Sequence, residues 1–247
     1  MPTEEARIVW KEKAPKGGLL FCSVPDTGLI GFIASIHTIQ EMNLPLIGFV
    51  EAPWMPPIVS IFDGRPFPPV RIYGGEKISI FLSEVPLEQA FWQAYSALAV
   101  KIYEEMDASS LITATGLPNP KRQEMETLRL FAAYTDESLK KSFAPEAQIF
   151  SGVMSGPYAS LIQYTLKSEV PTLIYLVDSY PVYPDPEAAS VIVKMIGSII
   201  DAELDVEKLL EKGAELRIKA RQLALETQKS QRGAQAQTGR APVGFYV

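Results

Sequence analysis

The sequence has little of the chemistry that most catalytic and metal sites require. It contains one cysteine and one histidine, Cys22 and His37, among 247 residues. A disulfide framework and a cysteine-rich zinc site are therefore excluded, and a cysteine–histidine dyad would require these two residues to meet. Cys22 lies in an apolar run and His37 in an apolar helical pattern, so we interpret both as packed structural residues. A single thiol also fits a reducing, cytoplasmic compartment.

Nucleotide-binding signatures are absent or incomplete. No G-x-x-x-x-G-K-[ST] motif occurs, which argues against an ATP-driven machine. Gly28 and Gly31 follow a predicted strand, where a dinucleotide fold would hold phosphate, but Asp26 replaces the first glycine and its charge would oppose a pyrophosphate. Between Gly152 and Gly156 the serine stands one place late for a nucleophile elbow. The sequence thus predicts no cofactor, no metal site and no catalytic residue.

Neither charge nor hydropathy points to nucleic acid or to a membrane. The net charge is −6, whereas both partners require a concentrated positive surface. The longest uncharged stretch, 147–166, contains too many polar residues for a membrane span. The N-terminus is acidic, and no secretory signal is predicted there. With 47% apolar and 21% charged residues, the composition is that of a soluble globular protein.

Short apolar runs alternate with helical patterns along most of the chain. This alternation predicts an α/β layer fold with a largely buried sheet. Strands are predicted at 19–24, 46–50, 59–62, 70–73, 77–82, 110–115, 128–134, 147–150 and 171–177, although residues 125–130 could equally close a helix. Helices are predicted at 32–42, 87–106, 157–167, 186–201 and 205–228.

Two turns and one helix start carry strong local signals. Asp63-Gly64 and Gly74-Gly75 each stand between strand-like runs and predict hairpins. Asp185 can accept hydrogen bonds from free helix amides, Pro186 has a helix-compatible φ, and Glu187 complements the positive end of the helix. A helix is therefore expected to begin here.

The composition changes after the last predicted helix. That helix is amphipathic, and it could dock on its own domain or contact another copy. Residues 227–244 contain no acid and three basic residues, and almost nothing apolar. We predict one α/β domain over 1–226, followed by a flexible tail over 227–247.

The sequence ends in Phe245-Tyr246-Val247, which a purely solvating tail would not need. A hydrophobic residue, a tyrosine and any residue at a carboxyl terminus form a docking motif, because the aromatic pair fills a pocket and the carboxylate pairs with a basic group. Chance would produce this ending in about 2% of such chains. The preceding tether has a reach of roughly 20–25 Å. The same aromatic residues could instead pack back on their own domain.

These features together resemble the proteasome assembly chaperone family in its archaeal form, whose members carry this ending. The resemblance rests on motifs in a shared order: the Asp26-x-Gly28-x-x-Gly31 opening, Phe62-Asp63-Gly64, Leu82 to Leu87, Gly156 to Ala159 and Asp185 to Ala189. It implies a Rossmann-like three-layer domain with a central, mostly parallel sheet that forms a homo-oligomer. It also implies ATP-independent binding to the α-ring of the proteasome core particle, as an assembly factor or activator. Only Phe245, Tyr246 and Val247 are carried over as functional residues.

Two other functions remain open on the residues alone. An enzyme of small-molecule metabolism could use the crevice near residues 26–31 and 152–158, at the ends of the strands. An oligomeric scaffold with an idle tail is the other alternative.

Overall fold

A nine-stranded mixed sheet forms the centre of the computed structural model, which describes residues 6–52, 55, 57–62 and 64–213. Within these residues the strands are β1 (Arg7–Trp10), β2 (Leu19–Ser23), β3 (Leu46–Glu51), β4 (Ser60–Phe62), β5 (Arg65–Phe67), β6 (Val70–Tyr73), β7 (Ile78–Ser83), β8 (Ser110–Pro118), β9 (Leu130–Tyr134), β10 (Gln148–Ile149) and β11 (Thr172–Ser179). The helices are α1 (Ile30–Glu41), α2 (Trp92–Met106), α3 (Pro157–Lys167) and α4 (Pro186–Ile200), and residues 207–213 are also helical.

The strand order of the sheet is β1-β3-β6-β7-β2-β8-β11-β9-β10. Its four central strands, β7, β2, β8 and β11, are mutually parallel, while the strands outside them introduce antiparallel pairs on both sides. Every residue of β7 and β11 is buried, as expected for parallel strands covered on both faces. The predicted α/β class with a mostly parallel centre is confirmed.

Helices cover both faces of this sheet. Alternate residues of a strand point to opposite faces, so Phe21 and Tyr175 pack in the cluster that contains residues of α1 and α4. Leu20 and Ile174 instead belong to the cluster with residues of α2 and α3. The two clusters lie on either side of the sheet, and this arrangement gives the predicted three layers.

The structure contains the two predicted hairpin turns and the predicted cap at the start of α4. Asp185 accepts a hydrogen bond from the Ala188 amide at 3.0 Å, as an N-cap does. The chain also reverses near Gly64 to pair β4 with β5 and near Gly74 to pair β6 with β7. Both hairpins and the start of α4 are therefore confirmed.

The start of one helix and one edge strand differ most from the prediction. The helix expected from Leu87 begins at Trp92, because Glu88 is extended and residues 89–91 form a 3₁₀ turn closed by a Trp92 Nε1 bond to the Leu87 carbonyl. Strand β1, which was not predicted, pairs antiparallel with β3 and lies at the edge of the sheet. A short edge strand has a weak sequence signal because one side of it lacks a neighbour.

The last predicted helix is described only in its first part. Residues 207–213 are helical, with Leu209 buried in the cluster that contains residues of α1 and α4. The rest of that helix and the tail lie outside the described residues, so the predicted boundary at 226 stays a prediction. Among the described residues, no helix combines the length and the hydropathy that crossing a membrane requires.

Candidate functional site

The crevice that α/β sheets commonly use for ligands lies between β2 and β8. After β2 the chain passes to β3, on one side of β2, whereas β8 lies on the other side. Ligands bind such sheets at the carboxyl ends of the strands where the connections diverge. The contacts of the predicted crevice residues, 26–31 and 152–158, therefore decide whether a ligand has room at this edge.

Residues of the chain itself fill this crevice. A Cβ on Gly31 would lie 2.5 Å from the Ala114 carbonyl oxygen, and one on Gly116 would lie 2.4 Å from Oγ of Ser179. Gly28 has a φ of 65°, and a Cβ on it would lie 2.6 Å from the same hydroxyl oxygen. The glycines permit close packing of backbone against backbone. They form a junction between the first turn and the strand ends.

The polar groups of the crevice also bond to one another. Tyr158, at the start of α3, donates its hydroxyl proton to the Val24 carbonyl at 2.9 Å and accepts from the Val24 amide at 3.1 Å. Thr115 donates to the Asp26 carboxylate at 3.0 Å. Burial raises the pKa of the Tyr158 phenol, which keeps it protonated. These contacts join α3 to the end of β2 and account for the Gly156-Pro157-Tyr158 motif.

Substitution of Gly31 tests how tightly this junction is packed. Gly31→Ala is expected to lower the free energy of unfolding by about 1–3 kcal/mol, because the added methyl meets a backbone carbonyl that cannot rotate away. Urea unfolding measures the change. The control is Gly152→Ala, whose methyl would meet first the ring of Phe150, a side chain that can move. Equal stability of Gly31→Ala and the native chain would show that the crevice has room.

The two residues considered for a dyad have separate structural roles. Cys22 is fully buried, and burial raises the pKa of its thiol, so the reactive thiolate is disfavoured. His37 is 7% exposed, and its Nε2 lies 2.5 Å from the carbonyl oxygen of Asp205. Because a carbonyl only accepts, Nε2 carries the proton of this hydrogen bond. His37 therefore fastens the segment that precedes helix 207–213 to α1.

A buried ion pair stands at the same edge of the sheet, between the loops after β8 and β11. Arg122 is 0% exposed and makes two hydrogen bonds to the Asp185 carboxylate, of 2.7 and 3.0 Å. Its Nη2 also donates to Glu187 at 2.9 Å, and its guanidinium carbon lies 5.0 Å from the ring centroid of Tyr180. Hydrogen bonds from the guanidinium to Asp185 and Glu187 outweigh burial and raise the pKa of Arg122.

A second carboxylate, Asp178, supports the neighbouring loop. It is 0% exposed and accepts from Arg129 at 2.8 and 2.9 Å and from Asn119 at 3.0 Å. Burial favours its neutral form, but these donors lower its pKa below the ordinary value. Asp178 thus ties the residues on both sides of the 3₁₀ turn at 122–124 to the end of β11. Among the described residues, no group of three metal-ligating side chains is present.

The predicted docking residues Phe245, Tyr246 and Val247 lie outside the described residues. The described chain ends at Gly213, which packs directly on the start of α4. A Cβ on Gly213 would lie 3.0 Å from Glu187 Cβ and 3.1 Å from its backbone nitrogen. The last described residue therefore lies beside Glu187, which accepts a hydrogen bond from Arg122.

The same fold occurs in proteins of known family. The family model described as the PAC2 family matches residues 20–224, which is most of the chain. This chain belongs to the PAC2 family. An uncharacterized protein of Methanocaldococcus jannaschii is 22% identical over 201 residues, which are 81% of this chain and 82% of that protein.

Two solved structures extend the comparison of this PAC2 protein. Pyrococcus furiosus PbaA, described as an archaeal homolog of proteasome-assembly chaperone, superimposes with a TM-score of 0.77 at 21% identity, covering 95% of this chain and 98% of PbaA. PbaB of the same organism, described as an archaeal proteasome activator, gives a TM-score of 0.76 at 18% identity, covering 89% and 99%. The shared fold extends over nearly the whole of each chain.

The buried pair is the part of this edge that the sequence analysis missed. Asp185 was predicted as a helix cap, which it is, but its partner Arg122 lies 63 positions earlier. No local spacing rule connects residues so far apart. The signal that was available is the combination of a capping aspartate with an arginine in a strand-end loop, which is too common to be specific.

Proposed function

We propose that this PAC2-family protein binds the proteasome core particle as a homo-oligomer, without ATP, by inserting Phe245, Tyr246 and Val247 into pockets of the α-ring. The observation that carries the proposal is the terminal hydrophobic-tyrosine-any sequence after a tether without acidic residues. The pocket receives the aromatic pair, the tyrosine hydroxyl makes a hydrogen bond, and the terminal carboxylate meets a basic group. The bound protein acts as an assembly factor or as an activator.

The fold comparison supports a role for this protein in proteasome assembly or activation. Proteins described as a proteasome-assembly chaperone homolog and as a proteasome activator share the fold over nearly their full length. The absence of a G-x-x-x-x-G-K-[ST] motif in the sequence supports the ATP-independent mode. The enzyme alternative is less well supported, because Gly28, Gly31 and Gly116 pack against the chain itself and leave little room for a ligand between the first turn and the strand ends.

Competition by a peptide tests the docking mode directly. Archaeal proteasome core particles are incubated with the full-length protein, and a peptide with the sequence of residues 241–247 is added. We expect millimolar peptide to reduce binding, because single tails bind weakly and several tails act together. The control peptide carries Tyr246→Ala. Equal behaviour of the two peptides would contradict the docking role of the terminal residues.

An exposed apolar hairpin supports self-association. Ile58, Val59 and Ile61 are 41%, 61% and 66% exposed on and just before the β4–β5 pair, which forms a sheet of its own. A groove of about 460 Å³ beside it is lined mainly by proline, methionine and branched residues. Apolar surface of this kind commonly marks a protein interface. A second copy would fit here, because a two-fold contact would place the hairpin of each copy against the groove of the other.

Polar substitution on the hairpin should therefore change the oligomer. Val59→Ser combined with Ile61→Ser is expected to lower the mass measured by light scattering toward the 27.3 kDa of one chain. The control is Val153→Ser, since Val153 is 98% exposed on a separate loop. If the double variant keeps the native mass at micromolar concentration, self-association uses another surface.

A further inference from the structure

A four-residue apolar loop, Pro181 to Pro184, projects from the edge of the sheet that carries the buried ion pair. All four residues are exposed, with Val182 at 83% and Tyr183 at 51%, between the buried residues Tyr180 and Asp185. Exposed aromatic and aliphatic side chains held together are typical of protein contact surfaces, and tyrosine is enriched at binding hot spots. The connection from β11 to α4 does not require apolar residues, because polar turn residues would serve there equally well.

The base of this loop is held firmly. The Asp185 carboxylate accepts from the Tyr180 amide at 3.3 Å, so it joins the two ends of the loop. Arg122 bonds to the same carboxylate and lies over the Tyr180 ring. Pro181 and Pro184 restrict φ within the loop. A surface ordered before binding loses less conformational entropy when a partner arrives, so a small contact can contribute measurable affinity.

The described part of the chain ends next to this loop. Leu209 is 5% exposed and anchors helix 207–213 in the main core, and Gly213 packs on Glu187 in the first turn of α4. Glu187 follows Pro184 by three residues. Gly213, the last described residue, therefore lies against the turn of α4 that directly follows the loop of Val182 and Tyr183. Residues 214–247 join Gly213 to the docking residues, so whatever receives them is held within 34 residues of chain from this loop, at an effective concentration on the order of millimolar.

We propose that Val182 and Tyr183 form a second contact with the proteasome α-ring, on an apolar part of the ring surface near the pockets that receive the tails. This contact rests on the proposed function and adds a second binding site to it. The tail provides reach, and the loop, fixed by Arg122 and Asp185, orients the domain on the ring. A second copy of the chain is a less suitable occupant, because the proposed self-association surface lies on the β6 side of the sheet. Four strand spacings, roughly 19 Å, separate β6 from β11.

Polar substitution of the loop tests the second contact. Val182→Ser combined with Tyr183→Ser, in the full-length chain, is expected to weaken binding to archaeal core particles about five- to twentyfold. Because both side chains are exposed, the thermal midpoint should remain that of the native protein. Val153→Ser is the matched control for loss of an exposed valine. Unchanged affinity of the double variant would overturn the proposal, as would a lower oligomer mass, which would assign the loop to contacts between copies.

A labelling experiment locates the contact independently. The native Cys22 is buried and its thiol is poorly reactive, so a Val182→Cys variant has one accessible thiol for maleimide. We expect core particles to slow its labelling at least fivefold, and to leave the labelling of a Val153→Cys variant unchanged. Equal labelling of Val182→Cys with and without core particles would contradict the contact.

Removal of the terminal residues separates the two proposals. If deleting Phe245 to Val247 abolishes binding while the loop double variant binds normally, the docking function stands and the second contact is wrong. If the deletion has no effect on binding, the docking function itself is wrong.

Discussion

A chain that ends at Gly244 is expected to bind proteasome core particles at least tenfold more weakly than the full-length protein. The three missing residues supply the aromatic pair and the terminal carboxylate, and several tails per oligomer multiply the loss. Surface plasmon resonance with immobilised core particles measures the affinity. Hydrolysis of a short fluorogenic peptide measures whether docking also stimulates the particle.

Two further tail variants identify which atoms matter. Tyr246→Phe removes one hydroxyl and is expected to weaken binding several-fold, because the hydrogen bond of that hydroxyl is lost while the aromatic ring remains. One alanine added after Val247 keeps the three residues but moves the carboxylate, and a large loss is expected. Gln235→Ala with Gln237→Ala serves as the control, since these residues lie in the tether and not in the docking sequence. Full binding by the chain ending at Gly244 would refute the docking mode.

Replacing Asp185 by alanine is expected to lower the free energy of unfolding by about 3–5 kcal/mol. The substitution leaves the charge of Arg122 buried at 0% exposure, and among the described residues the partly exposed Glu187 is its remaining ionic partner. Breaking a buried pair by removing one partner costs this much, because the remaining charge loses its compensation. The same change removes the cap of α4 at the Ala188 amide. Urea unfolding monitored by circular dichroism measures the difference.

Two controls separate the buried charge from the cap. Asp136 caps an exposed 3₁₀ turn by accepting from the Ser138 amide at 2.7 Å, so Asp136→Ala should cost only about 0.5–2 kcal/mol. Arg122→Leu combined with Asp185→Asn removes both charges and keeps a capping side chain, so it should recover much of the stability. If Asp185→Ala costs no more than Asp136→Ala, Arg122 does not depend on Asp185.

The same variants bear on the proposed ring contact. Asp185 closes the loop of Pro181 to Pro184, so its loss should loosen the loop as well as the domain. The serine variants of Val182 and Tyr183 leave that closure intact and change only the exposed surface. Comparing the two sets distinguishes a loop that binds from one that merely connects β11 to α4.

The amino-acid sequence alone determined the features that depend on short-range chemistry. The apolar runs of β2 and β11 predicted buried strands because parallel strands covered on both faces need continuous apolar sequence. The Asp185-Pro186-Glu187 start of α4 was predictable because a cap involves residues three apart. The class of fold and the family resemblance follow from the order of such local signals.

The tertiary structure decided which distant residues meet. Arg122 and Asp185 are 63 positions apart, and their contact depends on the loops after β8 and β11 reaching the same edge of the sheet. The crevice glycines had the spacing of a ligand site, but only packing revealed that Gly31 and Gly116 contact the chain itself. The approach of Gly213 to the first turn of α4 was equally hidden. Periodicity reports which face of an element is buried, and the sheet order determines what lies against it.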